Sequence, residues 1–184
     1  EYSKGLNYYN STFYTDYQGQ KAVGELDPDY MLVPETATRI ADSLGKDIRF
    51  IVVLRNPATR AYSHYLMSKK KGIESLEFEA ALAAEATRDR NIKYFKTIAY
   101  IERGKYGSQL KAYLDVFPSN QFLFLEFEKD IVQELDHTLH RIQAFLGVQE
   151  VQLDSSIRSN EAAEAVNDNV RDMVRRPNFV KSLI

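Results

Sequence analysis

The stretch Ile48-Arg49-Phe50-Ile51-Val52-Val53-Leu54, running straight into Arg55-Asn56-Pro57-Ala58-Thr59-Arg60-Ala61-Tyr62-Ser63-His64-Tyr65, constrains the fold of this chain more than any other segment. Its first part is a nearly continuous apolar run rich in β-branched residues. Such a run predicts a strand buried on both faces, as in a parallel sheet covered by helices. Asn56 is a strong N-cap and Pro57 a favoured first helical residue, so a helix is expected directly after the strand. Ala58, Ala61, Tyr62 and Tyr65 share the side expected to pack on the sheet. Asn56, Arg60 and Ser63, spaced +4 and +7, share another flank.

The rest of the chain repeats the strand-helix alternation. Phe122-Leu123-Phe124-Leu125, introduced by Pro118 and Asn120, reads as a second strand, and Lys21-Ala22-Val23-Gly24 as a third, shorter one. Pro34 opens a helix with Ala37, Ile40, Ala41 and Leu44 in helical rhythm before Gly45 stops it. A second helix is expected from Lys105 to Phe117, with Tyr106, Leu110, Tyr113, Leu114 and Phe117 on one face. A third carries Leu135, Leu139, Ile142 and Leu146 and ends at Gly147. Alternating strands and helices predict an α/β domain with a mainly parallel sheet. No repeat or linker divides residues 1–184, and 184 residues with 44% apolar content suffice for one core.

Charge and cysteine content narrow the function. A net charge of −2 gives no general attraction to nucleic acid or anionic membranes, so any anion site must be local. The absence of cysteine excludes disulfides and thiolate metal sites and favours a cytoplasmic setting. There is no run of about 18 apolar residues that would span a bilayer. No signal peptide is visible at Glu1. The chain is expected to be a piece of a longer protein, shortened at its N-terminus and, ending mid-pattern at Ile184, at its C-terminus too.

Ligands of such sheets bind beyond the carboxyl ends of the strands, which directs attention to the residues just past Leu54 and Val23. Arg55, beside the positive end of a helix dipole and with the Ser63 hydroxyl about two turns in, suits a dianionic phosphate. The same spacing also fits a capped helix with a surface arginine paired to a carboxylate. Glu25, just past Gly24 and before the Asp27-Pro28-Asp29 turn, could take a proton from an acceptor hydroxyl or amine, or could be a solvated loop residue paired with Lys21. Asp27 and Asp29 read as turn formers. His64 points about 100° away from Ser63 on the helix, towards an acceptor cleft or towards solvent. Tyr106 reads as core. His137 and His140 have metal-compatible spacing but no third ligand, so a surface role is expected. Lys69-Lys70-Lys71 complements the end of its helix.

Four blocks together resemble the sulfotransferases that use 3′-phosphoadenosine 5′-phosphosulfate (PAPS), in particular the heparan-sulfate branch and its bacterial relatives. Lys4-Gly5-Leu6-Asn7-Tyr8-Tyr9 with Phe13 is similar to a Gly-Leu-x-Trp-Tyr helix, with Tyr8 in place of Trp. Gly24-Glu25-Leu26-Asp27-Pro28-Asp29-Tyr30 resembles the Glu-Lys-Ser/Thr-Pro-x-Tyr turn. Leu54-Arg55-Asn56-Pro57 through Arg60-Ala61-Tyr62-Ser63 matches the 3′-phosphate motif. Arg103-Gly104-Lys105-Tyr106, with the later Phe145-Leu146-Gly147, resembles the nucleotide-side helix and its successor.

The resemblance implies a P-loop-NTPase-like sulfotransferase fold, a mainly parallel sheet flanked by helices. It implies PAPS as sulfuryl donor, 3′-phosphoadenosine 5′-phosphate (PAP) as product and no metal. Arg55 and Ser63 would hold the 3′-phosphate, Tyr106 would approach the nucleotide, His64 the acceptor, and Glu25 would act as base. The family's first strand and Lys-x-Gly-Thr-Thr loop are not among these residues and are expected upstream of Glu1. Leu26 and Asp27 stand where relatives carry Lys and Ser/Thr, and Arg175-Arg176-Pro177 is the one stand-in for a late basic loop over the nucleotide. The acceptor is expected to be a small molecule, a carbohydrate or a carrier-bound group. Rival readings are a P-loop kinase-like enzyme and an inactive nucleotide-binding module of the same fold.

Overall fold

The computed structural model describes residues 4–155; Arg175-Arg176-Pro177 therefore lies outside the described residues. The apolar run becomes β1 (Phe50–Leu54), which pairs in parallel with β2 (Phe122–Glu126) in the register Phe50↔Phe122 to Leu54↔Glu126. Among the described residues, seven α-helices surround this pair: α1 (Gly5–Phe13), α2 (Glu35–Leu44), α3 (Pro57–Lys70), α4 (Phe78–Ala84), α5 (Ile92–Phe95), α6 (Tyr106–Leu114) and α7 (Leu135–Leu146). Short 3₁₀ turns occupy Tyr30–Leu32 and Glu102–Gly104, and a π-helical segment, Phe127–Gln133, leaves the end of β2. None of the described helices is long and apolar enough to cross a membrane.

Two hydrophobic clusters hold this architecture. In one, α2 and α6 cover a face of the sheet: Ala37, Tyr113 and Phe117 pack on Val52 and Phe122. The Phe50 ring stacks on Phe122 with centroids 4.8 Å apart and meets Phe117 edge-on at 4.7 Å. In the other, Ala61 and Tyr65 of α3 pack on Phe78, Ala81 and Leu82 of α4 and on Ile98 and Tyr100. Gly45 (φ 82°) and Gly147 (φ 67°) end α2 and α7 in the positive-φ conformations that glycine adopts without strain.

Several expectations are corrected here. Lys21–Gly24 is not a strand: it is irregular and exposed, because the described sheet offers it no neighbour to bond, and the Lys21 ammonium instead donates to the Gly147 carbonyl. β1 is buried on one face; Ile51 and Val53 on the other remain 38% and 45% exposed. The Ala61–Tyr62–Tyr65 side of α3 packs on α4 and the Ile98–Tyr100 segment rather than on the sheet. α6 stops at Leu114, although Phe117 beyond it is still buried, and Leu44 and Leu114 are exposed.

Candidate active site

The junction between β1 and α3 begins the site. The Asn56 carboxamide oxygen accepts from the backbone N–H groups of Ala58 (3.0 Å) and Thr59 (3.2 Å), with Pro57 as the first helical residue. Those two donors are therefore spent on the cap. What α3 offers an anion at this end is its dipole, not those N–H groups. Gly104 lies against the same turn, where an added Cβ would come within 3.2 Å of the Pro57 Cβ. The absence of a side chain at Gly104 is what lets the Glu102–Gly104 turn approach α3 so closely.

A cleft of about 490 Å³ opens between the two clusters. Its lining includes Arg55, Arg60, His64, Arg103, Tyr106 and Asp29. Arg55 stands at the carboxyl end of β1. Its Nε donates to Glu128 Oε1 at 2.8 Å, and its guanidinium carbon lies 4.9 Å from the Phe127 ring centroid. The paired-arginine geometry and a place in the cleft thus coexist. Arg60 turns inward and donates to the Tyr100 carbonyl, so it leaves the flank that spacing alone would have it share with Ser63. Burial pulls its pKa down. Tyr106, half-buried at the start of α6, has its pKa raised by burial, against the opposing pull of Arg60 and Arg55 close to its phenol.

His64 faces the cleft. Its ring meets Tyr100 edge-on at 5.2 Å, and its Nδ1 is buried without a hydrogen-bond partner among the described residues. Burial, reinforced by the like charges of Arg103 and Arg60, takes its pKa to about 4. Lys71, the last of the three lysines, also lines the cleft, while Lys69 pairs with Glu77 at 3.1 Å.

Arg103 ties the cleft walls together. Its Nε donates to the Lys96 carbonyl (3.1 Å), its Nη1 to the Pro28 carbonyl (2.9 Å) and its Nη2 to the Asp29 carboxylate. Lys96 binds the other Asp29 oxygen at 2.7 Å. Burial alone would raise the Asp29 pKa, but the bonds from Lys96 and Arg103 outweigh it and hold the carboxyl below its usual range. Asp29 is more than a turn former: it anchors the turn. Behind this wall, the buried Glu74 carboxylate accepts from Tyr100 (2.9 Å) and the Leu76 N–H (3.1 Å) and pairs with Arg88 at 2.7 Å. Glu85 accepts from the N–H groups of Ile101 (2.7 Å) and Glu102 (2.8 Å).

Glu25 is exposed, four residues before Asp29, and lies outside the cleft lining. Its two carboxylate oxygens accept from the hydroxyls of Tyr9 on α1 and Tyr30. Burial and the bond to Glu25 both raise the Tyr30 pKa. Ser63 is exposed on α3. Of the five residues singled out in the sequence, Arg55, His64 and Tyr106 thus meet in one cleft, whereas Glu25 and Ser63 sit beside it. Sequence reasoning does not find Asp29, Arg60 and Glu128 as parts of the site. Arg60, Asp29 and Arg103 each fall inside a block that carries the resemblance, which signals the neighbourhood but not the role, and Glu128 carries no signal. Away from the cleft, His140 Nδ1 lies 2.5 Å from Glu150 Oε1. Among the described residues no three His, Cys, Asp or Glu side chains gather as a metal site.

Known proteins resemble this chain over most of its length. The model of the sulfotransferase domain matches residues 3–174. Mouse heparan sulfate glucosamine 3-O-sulfotransferase 3A1 is 32% identical over 161 residues, 87% of this chain and 39% of the relative. Human heparan sulfate glucosamine 3-O-sulfotransferase 6 is 32% identical over 164 residues, 86% of this chain and 44% of the relative. The crystal structure of a sulfotransferase from Alicyclobacillus acidocaldarius superposes with a TM-score of 0.73 at 31% identity, covering 86% of this chain and 63% of that one. The chain thus spans less than half the length of these two heparan sulfate enzymes. With a family model covering nearly all of it and relatives above 30% identity, the chain belongs to the sulfotransferase domain family.

Proposed function

We propose that the protein transfers a sulfuryl group from PAPS to an acceptor hydroxyl, and that Arg55 fixes the donor by its 3′-phosphate. The observation that carries this reading is the place of Arg55. It stands at the carboxyl end of a parallel strand, beside the start of α3, in the wall of a cleft that four further cations line. Among the described residues, its guanidinium hydrogen bond runs from Nε, which leaves the paired Nη groups for a phosphate. Ser63 on the same helix adds a hydroxyl from outside the cleft lining. These residues suit a ribose 3′-phosphate.

Transfer requires the acceptor oxygen in line with the sulfur and a stabilised leaving phosphate. In the proposed step, Glu25 receives the acceptor proton while the acceptor oxygen forms a bond to sulfur. The bond from sulfur to the 5′-phosphate oxygen breaks, and PAP leaves. Tyr9 and Tyr30 hold the Glu25 carboxylate in orientation, and one of these bonds is exchanged for the acceptor hydroxyl. The acceptor is proposed to be a carbohydrate, as the names of the heparan sulfate relatives suggest. Those relatives are sulfotransferases by name, which disfavours a P-loop kinase-like enzyme.

Calorimetry on the full-length protein tests the assignment. Arg55→Ala is expected to weaken PAP binding about ten- to a hundredfold, the cost of one charge-assisted contact. Glu25→Gln should bind PAP normally and turn over at least about a hundredfold slower. Equal affinity for PAP and for adenosine 5′-phosphate in the unaltered protein would reject the site.

A further inference from the structure

The parallel register Leu54↔Glu126 brings together the residues that leave the two strands: Arg55 from β1, Phe127 and Glu128 from β2. β2 does not run on into a loop but into the π-helical segment Phe127–Gln133. Asp130 locks that segment from below. One of its oxygens accepts from the Glu126 N–H at 2.6 Å, and the other from Arg141 of α7 at 2.6 Å. The positions of Phe127 and Glu128 are therefore set by contacts that do not involve Arg55.

Against this fixed turn the Arg55 guanidinium meets two restraints. The guanidinium carbon lies over the Phe127 ring, 4.9 Å from its centroid, and the Glu128 carboxylate accepts from Nε at the side of the group. The ring limits where the guanidinium can sit, and the ion pair limits how it can turn. Both partners are about a third exposed, so the pair holds little folding free energy. Two edges of a guanidinium match a pair of oxygens, the end formed by the two Nη groups and the side formed by Nε with its neighbouring Nη. Glu128 makes a single bond, at Nε, and among the described residues no hydrogen bond engages the Nη pair.

We infer that Glu128, supported by Phe127, is a positioning residue that aims the Arg55 fork into the cleft before the nucleotide arrives. This inference rests on the reading of Arg55 as the 3′-phosphate ligand. Its physical basis is that a guanidinium already oriented loses less freedom on binding than one free to rotate.

The test is a double-mutant cycle on the full-length protein, reading PAP affinity by calorimetry with adenosine 5′-phosphate as the control ligand. Glu128→Ala is expected to weaken PAP binding about five- to tenfold and leave adenosine 5′-phosphate binding unchanged. Glu128→Gln, whose carbonyl oxygen can still accept from Nε, should restore most of the loss. In an Arg55→Ala background, Glu128→Ala should cost nothing further. Unchanged binding in Glu128→Ala shows an idle contact, and tighter PAP binding shows a competing carboxylate; either overturns the inference. An equal loss for both ligands, or an undiminished loss without Arg55, assigns Glu128 a structural role and also overturns it. If Arg55→Ala alone leaves PAP binding intact, the functional reading itself has failed, and this inference falls with it.

Discussion

Burial, with Arg103 and Arg60 adding like charge, moves the His64 imidazole from an ordinary 6.5 down to about 4. The charged groups around it are Arg60 on its own helix, Arg103 across the cleft, Lys71 at the end of α3 and Asp29 on the far wall. Between pH 4 and 6.5 the unfolded chain takes this proton and the folded one does not. Stability therefore rises with pH through that window and is fully present above it. The gap corresponds to at most about 3 kcal/mol. In denaturant titrations at a series of pH values, the protein should lose up to that much more than His64→Gln on acidification from pH 7 to 4. Parallel stability curves for the two proteins would show that the imidazole titrates as it does in water.

At the level of elements, the β1–α3 junction depends on one side chain. Asn56→Ala removes the acceptor for two helix N–H groups and should cost about 1 kcal/mol in chemical denaturation, while Asn56→Asp should keep most of it. A loss as large in Asn56→Asp as in Asn56→Ala would argue against the cap. This junction is readable in the sequence because its causes are local: an apolar run, an Asn cap and a Pro at the first turn. Lys21–Gly24 misleads because a strand exists only through a neighbour, and four residues do not specify one. The spacing of Ala61, Tyr62 and Tyr65 tells which residues share a face. It does not tell that α4 rather than the sheet covers them. The Arg55–Glu128 and Arg103–Asp29 contacts span 73 and 74 positions and leave no mark in local pattern.

On the scale of the molecule, the cleft exists because two clusters pack separately, and its outer wall is held by buried polar bonds. Glu74 binds Arg88, Tyr100 and the Leu76 N–H, and the Tyr100 pKa is pushed up to about 12 by burial and by that carboxylate. Glu74→Ala strands the Arg88 cation and should destabilise the protein by about 3 kcal/mol. Arg88→Ala added to it should cost little more, a non-additivity that denaturant unfolding of the four proteins measures. Fully additive losses would mean that the two groups act apart. None of this wall is legible in the sequence, where Glu74, Arg88 and Tyr100 each resemble an ordinary surface or core residue.

Arg103 reaches two separate pieces of chain, the Pro28-Asp29 turn and Lys96, with three nitrogens and stands three positions ahead of the helix that begins at Tyr106. On the proposed assignment, the turn that bears the base is geared to the helix that faces the donor. A drift on one side of the reaction drags the other along, so the gap that an attacking oxygen must close is shielded from loop breathing.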